Sequence, residues 1–228
     1  MTGFSRIDDA LEALSLGLPV IVLDSEDREN EGDFVVAAEK VTAQIIHFLI
    51  THGRGQVCMP VTHQTAQRLG FQPMVPPQAG DAPNFTIPVD HRRCKTGISP
   101  LDRSTTIQAI MDEDSRPQDF LRPGHLFPLV AREGGVLVRQ GHTEASVDLV
   151  RMAGLRPAAV LCEICSNDGL HMATRDELLH LAEDSRMPIV TIDALIEYRR
   201  AHDAAPRAEK GRRKTKPAKP VKLAAKGR

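Results

Sequence analysis

Two short apolar segments separated by a strongly polar one most restrict how this chain can fold. Residues 19–24 and 33–38 are each predicted to form a buried strand, with a polar turn between them. Further strands are predicted at 56–60, 84–89, 126–131, 136–139, 158–162 and 189–192, and helices at 7–17, 42–52, 62–69, 102–113, 143–154, 174–185 and 193–202. Because strands and helices alternate without strict order, the sequence predicts a layered α/β or α+β domain.

The charges divide the chain into two unequal parts. Ten of the 29 Lys/Arg and one of the 30 Asp/Glu lie in residues 204–228, which gives this tail a net charge of +9 and leaves −10 for residues 1–203. We therefore expect a globular domain over 1–203 and a basic tail over 204–228, whose Lys/Pro/Ala composition predicts disorder. Nucleic-acid binding by the tail is an alternative, but an incidental or solubilising extension is favoured.

Composition removes several classes of protein. Aromatic residues make up 4% of the chain and Trp is absent, so a surface that stacks nucleic-acid bases is not expected. No apolar run approaches the roughly 20 residues of a membrane helix, and the N-terminus does not resemble an export signal. Four cysteines are too few for a disulfide scaffold, which favours a cytoplasmic protein with reduced thiols.

The polar turn is the first candidate site. It contains six carboxylates within ten residues: Asp24, Glu26, Asp27, Glu29, Glu31 and Asp33. Crowded carboxylates repel one another unless a cation or a proton lies among them, and hard oxygen ligands favour Mg²⁺ or Mn²⁺. Arg28 offers a fork for a phosphate, and Gly32 permits a tight turn before the strand. On charge alone, a solvated acidic turn is the favoured interpretation.

The second candidate is the segment 139–144, which lies between a predicted strand and a helix. Such a junction directs backbone N–H groups toward an anion, and Arg139 and Thr143 could hold a phosphate. His142 could bind a metal or transfer protons. The alternative is an ordinary helix start in which Thr143 is the cap and His142 is exposed.

Two further segments carry weaker signals. His125 follows Pro-Gly and precedes an apolar strand, where it is either a general acid or base or part of a structural turn. Thr96 lies in the polar segment 95–103 ahead of a helix, which Ser99 or Asp102 could cap. A capped helix start is favoured there over a phosphate site.

The pair Cys162 and Cys165 suggests zinc or redox chemistry, but Cys58 and Cys94 stand alone in the sequence, so a zinc site is not favoured. Glu163 is the stronger candidate, because it follows an apolar strand at its carboxyl end, where α/β folds usually place their sites.

Together these segments favour a metal-dependent enzyme acting on a small phosphorylated molecule. The sequence contains no P-loop and no G-x-G-x-x-G fingerprint, which argues against a nucleotide cofactor. A different Mg²⁺-dependent sugar-phosphate isomerase or lyase is the alternative within enzymes.

Over residues 4–202 the sequence closely resembles the 3,4-dihydroxy-2-butanone 4-phosphate synthase family of riboflavin biosynthesis. The matching motifs are DSEDRENEGDFVVAAE (24–39), HGRGQVCMPVT (52–62), TGISPLDRSTTI (96–107), RPGHLFPL (122–129), GGVLVRQGHTEASVDLVRMAGLRPAAVLCEI (134–164) and NDG (167–169). The resemblance implies an α+β fold, a layered sandwich with a mixed sheet flanked by helices. It also implies conversion of D-ribulose 5-phosphate to L-3,4-dihydroxy-2-butanone 4-phosphate and formate, with two Mg²⁺ or Mn²⁺ ions and no organic cofactor.

The resemblance further implies a homodimer whose active sites lie where the subunits meet, without a GTP cyclohydrolase II domain. It assigns Glu29 and His142 to the metal, and His125 and Glu163 to proton transfers. Substrate binding is assigned to Arg28, Glu29, Asp33, Thr96, Arg139, Gln140, Gly141, His142, Thr143 and Glu163, and further catalytic positions to Glu31 and Cys58. The loop 165–171 departs from the family pattern, because Cys165 and Ser166 stand in this chain where the family has its usual pair.

Overall fold

The computed structural model describes residues 3–76 and 82–203, which form a mixed seven-stranded sheet with helices on both faces. The strands are β1 (Val20–Leu23), β2 (Gly32–Ala37), β3 (Arg54–Val61), β4 (Val89–His91), β5 (Phe120–Val130), β6 (Ala159–Ile164) and β7 (Ile189–Thr191). The helices are α1 (Ile7–Ser15), α2 (Ala43–Phe48), α3 (His63–Leu69), α4 (Pro100–Met111), α5 (His142–Met152), α6 (Arg175–Ser185) and α7 (Ile192–Asp203). The predicted layered α+β fold is confirmed.

The strand order is β4-β5-β3-β6-β2-β1-β7. β1 pairs with β7 and β3 with β5 in parallel, whereas the other four pairings are antiparallel. The two strands predicted on either side of the polar turn are confirmed as β1 and β2, and they pair antiparallel with Leu23 opposite Gly32 at the polar end. Asp33 of β2 lies opposite Glu163 of β6, so the pairing brings the first acidic segment beside the strand-end glutamate.

Alternate residues of the central strands enter two separate hydrophobic cores. Phe34, Val36 and Val160 pack into one core together with residues of α2, α3, α4 and α6. Val35 and Leu161 pack into the other core with residues of α1, α5 and α7. Burial of both faces explains why these strands are continuously apolar in the sequence rather than alternating.

Side chains at the helix starts agree with the sequence. The Oγ atom of Thr42 accepts the backbone N–H of Ile45 at 3.3 Å, and that of Ser99 accepts the N–H of Asp102 at 3.1 Å. These caps satisfy N–H groups that have no partner within the helix. The helix predicted over 42–52 is α-helical to Phe48 and continues as a π-helical segment over Leu49–Gly53.

Two predicted strands are wrong. Residues 136–139 form no strand; Gly135–Leu137 is a 3₁₀ turn in which Gly134 and Gly135 have φ angles of 93° and 63°. The Asp148 carboxylate accepts the backbone N–H of Val136, which holds this turn. Over 84–89 only isolated bridges form, at Phe85 and Thr86, and the strand proper is Val89–His91.

The predictions for the tail 204–228 and for part of the proline-rich segment 72–83 lie outside the described residues. Within the described ranges, no helix has the length and apolar character needed to cross a bilayer.

Candidate active site

A cleft of about 350 Å³ opens where β1 and β6 end and α5 begins. Nine of the predicted site residues line it: Arg28, Glu29, Glu31, Asp33, Cys58, Arg139, His142, Thr143 and Glu163. Pro83, Phe85, Leu129 and Leu161 complete the lining. Because side chains alternate along a strand, Asp33 and Glu163 share the sheet face of Val35 and Leu161, which α5 covers.

The acidic loop between β1 and β2 is organised around one buried carboxylate. Asp24 is only 2% exposed, and its Oδ1 accepts the N–H of Glu31 at 2.8 Å. Its Oδ2 accepts from the Arg28 guanidinium at 2.7 Å and from the N–H of Glu29 at 3.3 Å. The interpretation as a solvated acidic turn is therefore wrong for Asp24, which holds the loop in a fixed shape, whereas Glu26, Asp27 and Glu29 are exposed.

Asp24, Glu29 and His142 each place a ligand atom within 4.8 Å of the other two. His142 is buried, and its Nε2 lies 3.1 Å from the carbonyl oxygen of Val22. A carbonyl can only accept, so Nε2 carries the proton and Nδ1 presents its lone pair. The expectation of an exposed His142 as part of a simple helix start is wrong, because the helix is capped at Gly141 and the imidazole is buried.

The protonation of this imidazole suits metal binding. Burial lowers the pKa of His142 and so favours the neutral ring, although Asp24 opposes the shift. A neutral ring whose second nitrogen donates to a backbone carbonyl is the usual arrangement of a histidine ligand.

The carboxylates beside it are crowded. Burial raises the pKa of Asp33 well above its ordinary value, and Glu163 and Glu31 raise it further. Burial also raises the pKa of Glu31, with contributions from Glu29 and Glu163. The Oδ1 atom of Asp33 is buried and has no hydrogen-bond partner among the described residues. Such a cluster is relieved by a proton or a cation, so the residues present fit a divalent ion.

Glu163 lies at the end of β6 and is held by the neighbouring strand. Its Oε2 accepts the N–H of Gln56 at 2.6 Å, next to the register shift between Arg54 and Val57. A Cβ atom at Gly55 would lie 2.6 Å from the same Oε2, so only glycine leaves room for this carboxylate. The carboxylate is thereby directed into the cleft.

The opposite side of the cleft contains a buried arginine and the start of a helix. Arg139 is 4% exposed and its guanidinium lies 2.6 Å from the Glu144 carboxylate, which is also buried. A Cβ at Gly141 would lie 2.2 Å from the Arg139 guanidinium, so this glycine permits the close packing. α5 begins here, and the N–H groups of its first turn add positive potential at the cleft.

The cysteines do not form a metal site. Burial raises the pKa of Cys58, so this cleft residue is a neutral thiol and not a nucleophilic thiolate. Cys162 packs into the core on the other sheet face, where burial raises its pKa to about 12. In the described part of the chain, the group of potential ligands contains no cysteine. The zinc alternative therefore has no support.

Four predicted site residues do not line the cleft: Thr96, His125, Gln140 and Gly141. Gly141 acts indirectly, through the packing of Arg139. His125 lies on β5, with its side chain 45% exposed and its Nδ1 2.7 Å from Asp90. Thr96 is exposed in the loop before α4. A single chain therefore does not bring the two proposed proton-transfer residues, His125 and Glu163, into one cleft.

The sequence reasoning missed three residues that hold others in place. Asp24 was counted among the acidic residues but not singled out, although it follows directly on a buried strand. Glu144 is an acidic residue in the first turn of α5, a common position for a carboxylate, so the sequence alone does not mark it as a support. Asp90 carried no signal, because its partner His125 is 35 residues away along the chain.

The structure is a layered α+β protein with a cleft in which crowded carboxylates, which fit a divalent ion, face a buried arginine and the N-terminus of α5. The chain belongs to the 3,4-dihydroxy-2-butanone 4-phosphate synthase family, whose profile matches residues 8–198.

Among curated proteins, it is 50% identical over 201 residues to the riboflavin biosynthesis protein RibBA of Bacillus mycoides, covering 88% of this chain and 50% of that protein. It is 48% identical over 196 residues to the 3,4-dihydroxy-2-butanone 4-phosphate synthase of Wolinella succinogenes, covering 86% and 56%. The chain thus spans about half the length of the curated relatives it matches.

Solved structures share the fold. A crystal structure of 3,4-dihydroxy-2-butanone 4-phosphate synthase in complex with two magnesium ions superposes with a TM-score of 0.82 at 36% identity, covering 88% of this chain and 99% of that one. The two-domain synthase RibBX from A. baumannii superposes with a TM-score of 0.82 at 44% identity, covering 86% and 58%.

Proposed function

We propose that this chain converts D-ribulose 5-phosphate to L-3,4-dihydroxy-2-butanone 4-phosphate and formate. The observation that carries the proposal is one cleft in which crowded carboxylates face a buried arginine and the N-terminus of α5. The substrate carries a phosphate at one end and a carbonyl with adjacent hydroxyls at the other. A site with an anion-binding side and a cation-binding side matches both ends.

Glu29 and His142 would hold Mg²⁺ or Mn²⁺, with Asp24 fixing the backbone at Glu29. Two ions per site are proposed; a similar crystal structure is of a complex with two magnesium ions. When bound, such ions supply stabilisation of the negative charge that develops on the substrate oxygens during enolisation. No organic cofactor is part of the proposal.

The chain's own residues would hold the phosphate and move protons. Arg139, Thr143 and the first turn of α5 anchor the phosphate, so that the carbon skeleton rearranges without the substrate leaving. Glu163 faces the cleft from β6 and would exchange protons with the substrate carbons. Burial raises the pKa of Asp33, which favours its protonated form, and the protonated carboxyl would donate a hydrogen bond to a substrate oxygen.

We also propose a homodimer in which His125 and Thr96 complete the cleft of the partner. Both residues lie outside the cleft of their own chain. Exposed apolar side chains accompany them: Ile98 and Leu101 follow Thr96, and Leu121 pairs with Asp90 across β4 and β5. A second subunit would bury these side chains and bring the missing acid–base group to Glu163.

The test is formate release from D-ribulose 5-phosphate, measured with formate dehydrogenase, in Mg²⁺ and after chelation with EDTA. We expect stoichiometric formate and the four-carbon phosphate, loss of turnover with EDTA and recovery with added Mg²⁺. The Glu163→Gln variant should fold and release no formate. Consumption of the substrate without formate would instead support the alternative, another sugar-phosphate isomerase or lyase.

A further inference from the structure

A buried carboxylate outside the cleft holds the ring of His125. We propose that Asp90 is a positioning residue that fixes the tautomer and orientation of His125, so that Nε2 is the nitrogen that exchanges protons with substrate. This inference rests on the proposed function, because it concerns how His125 is oriented for the proton transfers of that reaction.

Two hydrogen bonds fix His125 at both its backbone and its ring. Asp90 lies in β4 and is 7% exposed; its Oδ1 accepts the backbone N–H of His125 at 2.9 Å. Its Oδ2 lies 2.7 Å from Nδ1 of the ring. Because one carboxylate makes both contacts, the ring cannot rotate without breaking the second bond. The ring edge that carries Nε2 is therefore the one left to reach outward from β5.

The chemistry of the pair sets the tautomer. An ionised carboxylate only accepts hydrogen bonds, so the Nδ1 atom of His125 must carry a proton. In the neutral ring, Nε2 then holds the lone pair and can take a proton from a substrate. In the protonated ring, the Asp90 carboxylate stabilises the imidazolium, and Nε2–H can return the proton.

The loop before α4 closes over this carboxylate. Gly97 has a φ of +88°, and a Cβ atom there would lie 2.0 Å from Oδ2 of Asp90. The Asp102 carboxylate accepts the N–H groups of Gly97 at 3.1 Å and Lys95 at 3.2 Å, which holds the loop in place. Thr96 and His125 come from separate motifs, and both lie beside the buried carboxylate of Asp90.

The test is the Asp90→Asn variant of the full chain, because an amide can donate as well as accept and no longer dictates the tautomer. We expect a folded protein whose kcat falls roughly 10- to 100-fold, while KM changes by less than about threefold. In ¹⁵N-histidine-labelled protein, long-range ¹H–¹⁵N spectra should show the Nδ1–H tautomer of His125 in the wild type. The Nε2–H tautomer should increase in the variant.

Three further variants make the test specific. The His125→Gln variant identifies the resonance, which should disappear. The Asp168→Asn variant is a matched control, since Asp168 makes a similar exposed contact of 2.8 Å to Nδ1 of His171. It should alter only the His171 resonance and leave kcat unchanged. The Gly97→Ala variant should lower kcat although Asp90 and His125 are both unchanged, because the added methyl displaces the Asp90 carboxylate.

Two results would overturn the proposal: a kcat of Asp90→Asn within twofold of the wild type, or a fall in kcat with the His125 tautomer unchanged. The second result would make Asp90 a merely structural residue. If the wild type itself releases no formate, the proposed function fails, and the tautomer measurement still decides whether Asp90 fixes the ring.

Discussion

Arg139 lines the cleft as one half of a buried ion pair. Its partner Glu144 is 1% exposed, and the second oxygen of Glu144 accepts the backbone N–H of Arg132 at 2.9 Å. Glu144 therefore connects the guanidinium to the turn before α5 and restricts where it can point. Breaking a buried pair by removing one partner generally costs about 3–5 kcal/mol, because the remaining charge is left uncompensated.

We predict that Glu144→Gln raises KM for ribulose 5-phosphate about tenfold, with a smaller effect on kcat. The neutral amide holds the guanidinium less firmly, so phosphate binding weakens while the proton-transfer groups remain. Steady-state kinetics and competition by inorganic phosphate measure this, and inhibition by phosphate should weaken in parallel with KM. Glu183→Gln, an exposed position on α6, is the control. An unchanged KM in a folded Glu144→Gln protein contradicts the anchoring role.

At this scale the sequence predicted the residues that line the cleft better than the residues that support them. Glu29 and His142 are far apart in the chain and meet because β1 ends where α5 begins. From the residues alone their roles stayed open, and the family resemblance selected among them. Asp90 and Glu144 were missed because a supporting carboxylate is defined by its contact across the fold, and no local pattern marks that contact.

Among the elements, apolar runs predicted the central strands well, because β1, β2 and β6 are buried on both faces. The prediction failed at residues 136–139, where three apolar residues and Arg139 follow two glycines with left-handed backbone. There Asp148 satisfies a backbone N–H that a strand would have directed to a neighbour. The edge strand β4 was placed imprecisely, because two of its three buried residues, Asp90 and His91, are polar and form no apolar run.

The N-terminus of α6 anchors the loop that departs from the family pattern. Glu177 accepts the N–H groups of Thr174 and Asn167 and the hydroxyl of Ser166, and these bonds lower its pKa from 4.5 to about 2. A folded pKa below the unfolded one stabilises the native state when the carboxylate is ionised. That contribution is present above about pH 4.5 and is lost as the pH falls toward 2.

We therefore predict that Glu177→Gln lowers the thermal unfolding temperature most above pH 4.5, and that the difference from the wild type shrinks as the pH approaches 2. At that pH the Glu177 carboxyl of the wild type is protonated, so it is neutral like the amide of the variant. Calorimetric scans across this pH range provide the measurement, with Glu183→Gln of the same helix as the control. A difference that is independent of pH contradicts the role of the ionised carboxylate.

For the whole molecule, the arrangement of the site predicts how two inactive subunits combine. The cleft of one chain contains Glu29 and Glu163, whereas His125 lies outside it. If His125 completes the cleft of the partner, a heterodimer of His125→Ala and Glu163→Gln chains has one cleft that lacks both groups. Its other cleft has both groups intact.

Mixing the two inactive variants under conditions of subunit exchange should therefore restore about a quarter of wild-type formate release, since half of the randomly assorted dimers are mixed and each has one intact site. The control is a mixture of Glu163→Gln with Glu29→Gln. Both residues belong to the same cleft, so every combination of these chains lacks one of them and no activity should return. Equal inactivity of the two mixtures would mean that His125 serves the cleft of its own chain. Restoration confined to the first mixture would assign His125 to the partner's cleft, and a chain alone would then hold substrate and metal without completing the proton transfers.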